Sequence, residues 1–233
     1  MRSQRTLTRV DESEVERTLA ACEQALSAEG KPDLRALGFW RAVAAVKRRA
    51  DLVERHATRV ATIDRETFRR HVRLAFPVTL GVIALDVALF GGLVLLAIAI
   101  GVPHPWRELL VLAATGALDV ALHGLAHLAV GTLVGIGFTD WFISLPKPPG
   151  FKIDYASYLR TPPRQRAWMH AAGAIASKLT PFLVIPYAVA IDTDTWAVLA
   201  LLAFGVVQIV TDLLYSVRAS DWKRFRREMR LAR

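Results

Sequence analysis

PVTLGVIALDVALFGGLVLLAIAIGV, residues 77–102, carries a single charged side chain, Asp86. A helix needs about 20 mainly apolar residues to cross the hydrocarbon core of a bilayer, so this stretch predicts a membrane-spanning helix. Three more apolar stretches follow, at roughly 107–137, 167–191 and 195–217. We therefore expect an all-α fold, a polytopic membrane helix bundle with four transmembrane helices.

Basic residues flank these stretches on one side. They occur in the N-terminal segment, in the loop after the second span and in the C-terminal tail, whereas the other two loops are short and contain no Lys or Arg cluster. Because Lys and Arg accumulate in cytoplasmic segments, we expect a multi-pass protein of the cell membrane with both termini in the cytoplasm. We attribute the net charge of +9 to basic residues that set the membrane topology and that attract anionic lipid headgroups. We expect no nucleic acid partner, since the sequence holds no motif for one.

The chain divides into three parts. Residues 1–73 predict a cytoplasmic helical hairpin with a basic linker, residues 74–217 the four-helix transmembrane domain, and residues 218–233 a basic C-terminal tail. The cytoplasmic loop at 138–166 is rich in Pro, Gly and aromatic residues, so we expect an ordered segment without a continuous helix. Residues 1–14 contain no apolar stretch, and we expect no cleavable signal peptide.

The hairpin is predicted from helical periodicity on both sides of Gly30-Lys31-Pro32. Residues 12–29 form its first helix, and Asp33 is a candidate N-cap for the second. The apolar positions recur at spacings of three and four, as in packed helix pairs: Val15, Leu19, Cys22, Leu26, Phe39, Val43, Val46, Ala50, Val53, Ala57 and Val60.

Ionisable residues inside the spans are candidates for a functional site, because they are costly in lipid. Asp119, His123 and His127 lie four apart and form one stripe on the second span. Histidines at i and i+4 have metal-chelating spacing. Asp212 in the fourth span reaches a similar depth, so His123, His127 and Asp212 predict a zinc site with an open fourth position.

Other polar residues allow further interpretations. Asp119 is a candidate to accept a hydrogen bond from the second ring nitrogen of His123. His170 lies near the cytoplasmic end of the third span. Asp86 and Lys178 fall near the bilayer middle, where we expect them to pair. The histidines and the aspartate also suit plain hydrogen bonding between helices, and this alternative stays open.

The segment DVALHGLAHLAVGTLVGIGF, residues 119–138, resembles the first core helix of the site-2 protease family of intramembrane zinc metalloproteases. MHAAGAIASKLTP, residues 169–181, occupies the place of that family's small-residue helix, and Asp212 occupies the place of its aspartate ligand. The resemblance covers residues 107–217. It implies zinc held by the two histidines and Asp212, and a transmembrane or membrane-adjacent peptide as substrate.

Two positions depart from the family pattern. Asp212 is followed by Leu213, whereas the family's aspartate usually precedes Gly. The family's catalytic Glu directly follows the first histidine, and here that position is Gly124, which has no group to accept a proton. Three interpretations remain: a non-catalytic relative that binds a membrane partner, an enzyme that uses Asp119 or His170 as base, or a coincidental likeness. If the chain is an enzyme, the resemblance implies a metalloprotease acting on membrane-embedded peptide bonds.

Two other function classes stay open. A small transporter or ion relay would use the intramembrane polar residues Asp86, Asp119, His123, His127 and Lys178, but the outer third of every span is almost wholly apolar. A scaffold would use the hairpin to recruit a cytoplasmic partner and the membrane part as its anchor.

Overall fold

The computed structural model describes residues 12–28, 30–144, 147–214 and 220–232. The predicted end of the fourth span at 215–217 and the start of the tail lie outside these residues. In chain order the elements are α1 (Glu12–Ser27), α2 (Phe39–Val46), α3 (Ala50–His71), β1 (Leu74–Pro77), α4 (Val78–Ala99), α5 (Trp106–Leu133), β2 (Phe138–Ser144), β3 (Lys147–Ile153), α6 (Tyr155–Arg160), α7 (Pro163–Ala190), α8 (Thr195–Leu214) and α9 (Asp221–Leu231).

Four of these helices, α4, α5, α7 and α8, are long and apolar enough to cross a membrane. This confirms the predicted all-α bundle with four membrane-spanning helices. α5 packs on α4 and α7, and α7 packs in turn on α8. Large apolar side chains such as Ile83, Val87 and Phe90 point outward from α4, as expected for a surface that faces lipid. The chain is therefore an integral membrane protein.

The two ends of the bundle differ in what they carry. At one end, here called the basic end, lie α3, the β-strands and α9. The other end, here called the short-loop end, consists of residues 100–105 and 191–194. Positive charge predicts the cytoplasm on the side of the basic end, and this orientation stays a prediction.

The N-terminal part contains three packed helices, where the sequence predicted two. The predicted apolar positions other than Ala50, which is exposed, form or pack on one core from α1, α2 and α3. The second helix is broken between Val46 and Ala50. At the break, Arg49 has extended backbone angles. The neighbouring Lys47 side chain forms a buried ion pair with Glu228 of α9. The core also includes Leu159 of α6, so this part packs on the membrane domain.

The loop after α5 forms a β-hairpin rather than a simple connection. β2 pairs with β3 and also with β1, giving an antiparallel sheet in the order β1-β2-β3. The sheet lies against the first turn of α4, where a Cβ at Gly81 would overlap Trp141 and Phe151. Aromatic and β-branched residues favour strands, and Phe138, Trp141 and Ile143 supply them here. The sheet therefore packs on the bundle at its basic end.

Candidate metal centre

His123 and His127 lie one turn apart on α5, and both face α7. Their ring centroids are 4.7 Å apart. The Nδ1 atom of His127 lies 2.7 Å from the carbonyl oxygen of Met169, and the Nδ1 atom of His123 lies 3.4 Å from the hydroxyl of Ser177. Because a carbonyl only accepts, Nδ1 of His127 donates. Its Nε2 atom is therefore the nitrogen left for a second partner.

Gly173 lets the two helices approach at this point. A Cβ at position 173 would overlap the His127 ring and would lie 2.8 Å from the carbonyl oxygen of His123. Small residues allow close helix contacts in membranes, and this one also leaves space for a ring. The His127 imidazole is thus enclosed between α5 and the α7 backbone.

Asp221, the first residue of α9, completes the group. Its Oδ2 atom lies 3.3 Å from Nε2 of His127 and 3.6 Å from Nε2 of His123. These three ligand atoms all lie within 4.8 Å of one another. α9 begins at this point because Ser220 caps it, its hydroxyl accepting from the backbone N–H of Lys223 at 3.4 Å.

The contact between His127 and Asp221 requires a proton or a metal ion between the two atoms. A carboxylate oxygen only accepts, and an Nε2 atom without hydrogen also only accepts. His127 therefore meets Asp221 either through a shared proton or through a metal ion, whereas the Nε2 atom of His123 can also donate to Asp221 from a neutral ring. Ligand atoms of a tetrahedral zinc site with bonds of about 2.0 Å are roughly 3.3 Å apart, close to the two observed separations.

The Asp221 carboxyl is biased toward its charged form. Burial raises its pKa, but the hydrogen bond and charge of His127, together with His123 and Arg224, outweigh burial. The net result is a pKa below the usual value for aspartate. A charged carboxylate is the form that binds metal.

The carboxylate grouped with the two histidines is that of Asp221, whereas the sequence predicted Asp212. Asp212 forms an ion pair with Lys178 and lines a cavity of about 260 Å³ that also contains His123 and Asp221. The prediction that Asp86 pairs with Lys178 is therefore wrong. Opposite charges at the same depth in a membrane attract each other, and Asp212 is the acid that lies beside Lys178. Asp86 has no hydrogen-bond or ion-pair partner among the described residues.

Asp119 and His170 form hydrogen bonds outside the group of His123, His127 and Asp221. The Asp119 carboxylate accepts from the side-chain amide of Gln208 at 3.3 Å, so it does not hold His123 as expected. His170 is buried, with its Nε2 atom 2.9 Å from the hydroxyl oxygen of Tyr158. The structure therefore places both candidate bases in separate hydrogen bonds.

Gly124 faces α4, where a side chain has no room. A Cβ at position 124 would lie 2.5 Å from the Leu85 methyl carbon Cδ1. Position 124, where the resemblance would place a catalytic Glu, thus forms a packing contact between α4 and α5. Glycine here permits that contact and supplies no proton acceptor.

Glu228 anchors the far end of α9, which sequence reasoning missed. Its carboxylate is fully buried, 2.7 Å from Nζ of Lys47 and 2.9 Å from Nε of Arg166. Burial lowers the pKa of Lys47 to about 8, while the Glu228 charge opposes that fall. Asp221 and Glu228 are seven residues apart and share one helix face. That spacing of two acids within a basic helix was the available signal.

An apolar layer separates this centre from the short-loop end. Val111, Leu118, Val184 and Leu201 form a buried cluster in that half of the bundle. A relay needs polar groups across this layer, and the buried hydroxyls of Thr115 and Thr180 there donate to carbonyl oxygens of their own helices. This arrangement does not favour the transporter interpretation.

No protein family model, curated protein or solved structure matches this chain.

Proposed function

We propose that this chain is a zinc-binding membrane protein of the site-2 protease-like type that lacks peptidase activity. Zinc would be held by His123, His127 and Asp221. One observation carries the proposal: the Nε2 atoms of both histidines face a single carboxylate oxygen, at 3.6 and 3.3 Å. The bond from His127 Nδ1 to Met169 is the outer contact that commonly orients a metal-binding imidazole.

Among the described residues, none of the candidate bases lies beside the imidazoles, and Asp212, the other carboxylate at the cavity, is paired with Lys178, which supports a non-hydrolytic role. Position 124 packs on Leu85, Asp119 bonds Gln208 and His170 bonds Tyr158. Hydrolysis would require a group that accepts a proton next to the metal. Binding requires only the cavity and an open coordination position, and the His123 side chain is 41% exposed beside that cavity. A transmembrane or membrane-adjacent peptide is the ligand class that this location suits.

The test is zinc content of the purified full-length protein in detergent. After removal of loosely bound metal, elemental analysis should show one zinc fewer per chain in the variant His123→Ala with His127→Ala. His71→Ala is the matched control, because His71 is an exposed histidine that bonds only within α3. Bound zinc that is the same in the double variant and the wild type would remove the proposal.

A second measurement separates binding from catalysis. Zinc-loaded protein should leave a labelled transmembrane peptide intact while binding it, as followed by fluorescence anisotropy. Cleavage that disappears in the double histidine variant would contradict the non-hydrolytic assignment and restore the peptidase.

A further inference from the structure

A second group of ligand-type side chains lies at the short-loop end. His104 precedes α5, Glu108 lies in its first turn and Asp194 precedes α8. The Nδ1 atom of His104 is 2.5 Å from one Glu108 carboxylate oxygen and 3.4 Å from an Asp194 carboxylate oxygen. One ligand atom from each residue lies within 4.8 Å of the other two.

Glu108 is incompletely satisfied, although it is fully buried. Its Oε1 atom accepts from His104 and from the backbone N–H of Asp194 at 3.1 Å. Its Oε2 atom has no hydrogen-bond partner among the described residues. Burying a carboxylate with a free oxygen is unfavourable, and a cation beside it would remove that penalty.

The neighbouring Arg107 does not supply the positive charge that Glu108 lacks. Arg107 directs its guanidinium to the carbonyl oxygens of Ile191 and Asp192, at 2.7 and 3.1 Å. The negative charge of Glu108 is therefore balanced either by a protonated His104 or by a bound metal ion. The His104 and Asp194 side chains are 46% and 53% exposed, which provides an entry path from water.

We infer that His104, Glu108 and Asp194 form a second site for a divalent transition-metal ion, of which Zn²⁺ is the best fit. One imidazole nitrogen with two carboxylates is a donor set that zinc accepts. The site stabilises the short-loop end by joining residues 100–105 to residues 191–194. It is independent of the first centre, because residues 108 and 127 are about 28 Å apart along α5.

The experiment counts zinc per chain in nanodiscs after chelation and reloading with Zn²⁺. The test variants are His104→Gln and Asp194→Asn, which change exposed side chains and keep hydrogen-bonding groups beside the buried Glu108. Asp192→Asn is the matched control, because Asp192 is exposed in the same loop and outside the cluster. Each test variant should lose one zinc, and the control should lose none.

The same measurement in the His123→Ala, His127→Ala background separates the two sites. Zinc that survives there and is lost on adding His104→Gln supports the second site, even if the first centre binds no metal. Zinc content unaffected by His104→Gln and Asp194→Asn in both backgrounds overturns the inference. The group would then be a hydrogen-bonded corner only.

Discussion

Gly173 of α7 lies against the imidazole of His127 on α5, and a side chain at position 173 would overlap its Nε2 atom. That atom is the one directed at Asp221. The backbone of α7 thus sets the position of a candidate ligand on α5. The Met169 carbonyl, one turn earlier on α7, fixes the orientation of the same ring.

Gly173→Ala should therefore weaken zinc binding without removing any ligand. The added methyl group must displace the ring, and disturbing such outer contacts costs about 10- to 100-fold in metal affinity. Competition against a zinc-chelating dye would measure the change. Gly116→Ala is the control, because no atom lies within 4 Å of a Cβ there. Equal affinities for the two variants would contradict this role of Gly173.

Asp221 and Asp212 are distinguished by a pair of isosteric variants. Asp221→Asn should lower zinc affinity by at least about 10-fold, because an amide is a poorer ligand than a carboxylate. Asp212→Asn should leave zinc affinity near the wild-type value and lower the thermal midpoint, since it removes the partner of Lys178. The reverse pattern would reinstate the ligand set expected from the sequence.

The spans were predictable because each depends on local composition. The first was expected at 77–102 and α4 covers Val78–Ala99, since length and hydropathy alone define a crossing. The placement of His123 and His127 on one face of α5 was predictable in the same way, from their helical spacing. Their third partner did not, because the return of α9 to α5 depends on contacts between residues distant in sequence. Periodicity shows which residues share a face, and it does not show what packs on that face.

The sheet was missed for a related reason. The Pro and Gly residues of 138–166 correctly excluded a continuous helix, but strand pairing depends on β1, which lies some 60 residues earlier in the chain. The split between α2 and α3 was also hidden. Its apolar pattern continues through the break, while Lys47 turns toward Glu228.

Gly124→Glu should not create a peptidase. The new side chain would overlap Leu85, so it must either displace α4 or point away from the proposed metal. Such overpacking costs about 1–3 kcal/mol of stability. A transmembrane reporter peptide should remain uncleaved, and the thermal midpoint should fall. Adding Leu85→Ala should recover the midpoint and still give no cleavage. Zinc-dependent cleavage by either variant would show that position 124 does reach the metal.

Glu228 makes the docking of α9 dependent on pH. Burial raises its pKa, but Lys47 and Arg166 outweigh burial, so the pKa in the folded protein is below the usual 4.5. The stabilisation is therefore complete above pH about 4.5 and is lost as the pH falls through the lower folded value. Protection of the C-terminal tail from protease should decrease over that acidic range.

Glu228→Gln should reduce this pH dependence, to which Asp221 on the same helix also contributes, and should destabilise the protein at neutral pH. It leaves Lys47 and Arg166 buried at 7% and 1% exposure without a counter-charge, and such a loss costs about 3–5 kcal/mol. Glu14→Gln is the control, because it breaks an exposed ion pair with Arg41 worth at most about 1 kcal/mol. Because α9 also carries Asp221, Glu228→Gln should weaken zinc binding as well. Zinc affinity unchanged while the tail becomes protease-sensitive would mean that Asp221 is not a ligand.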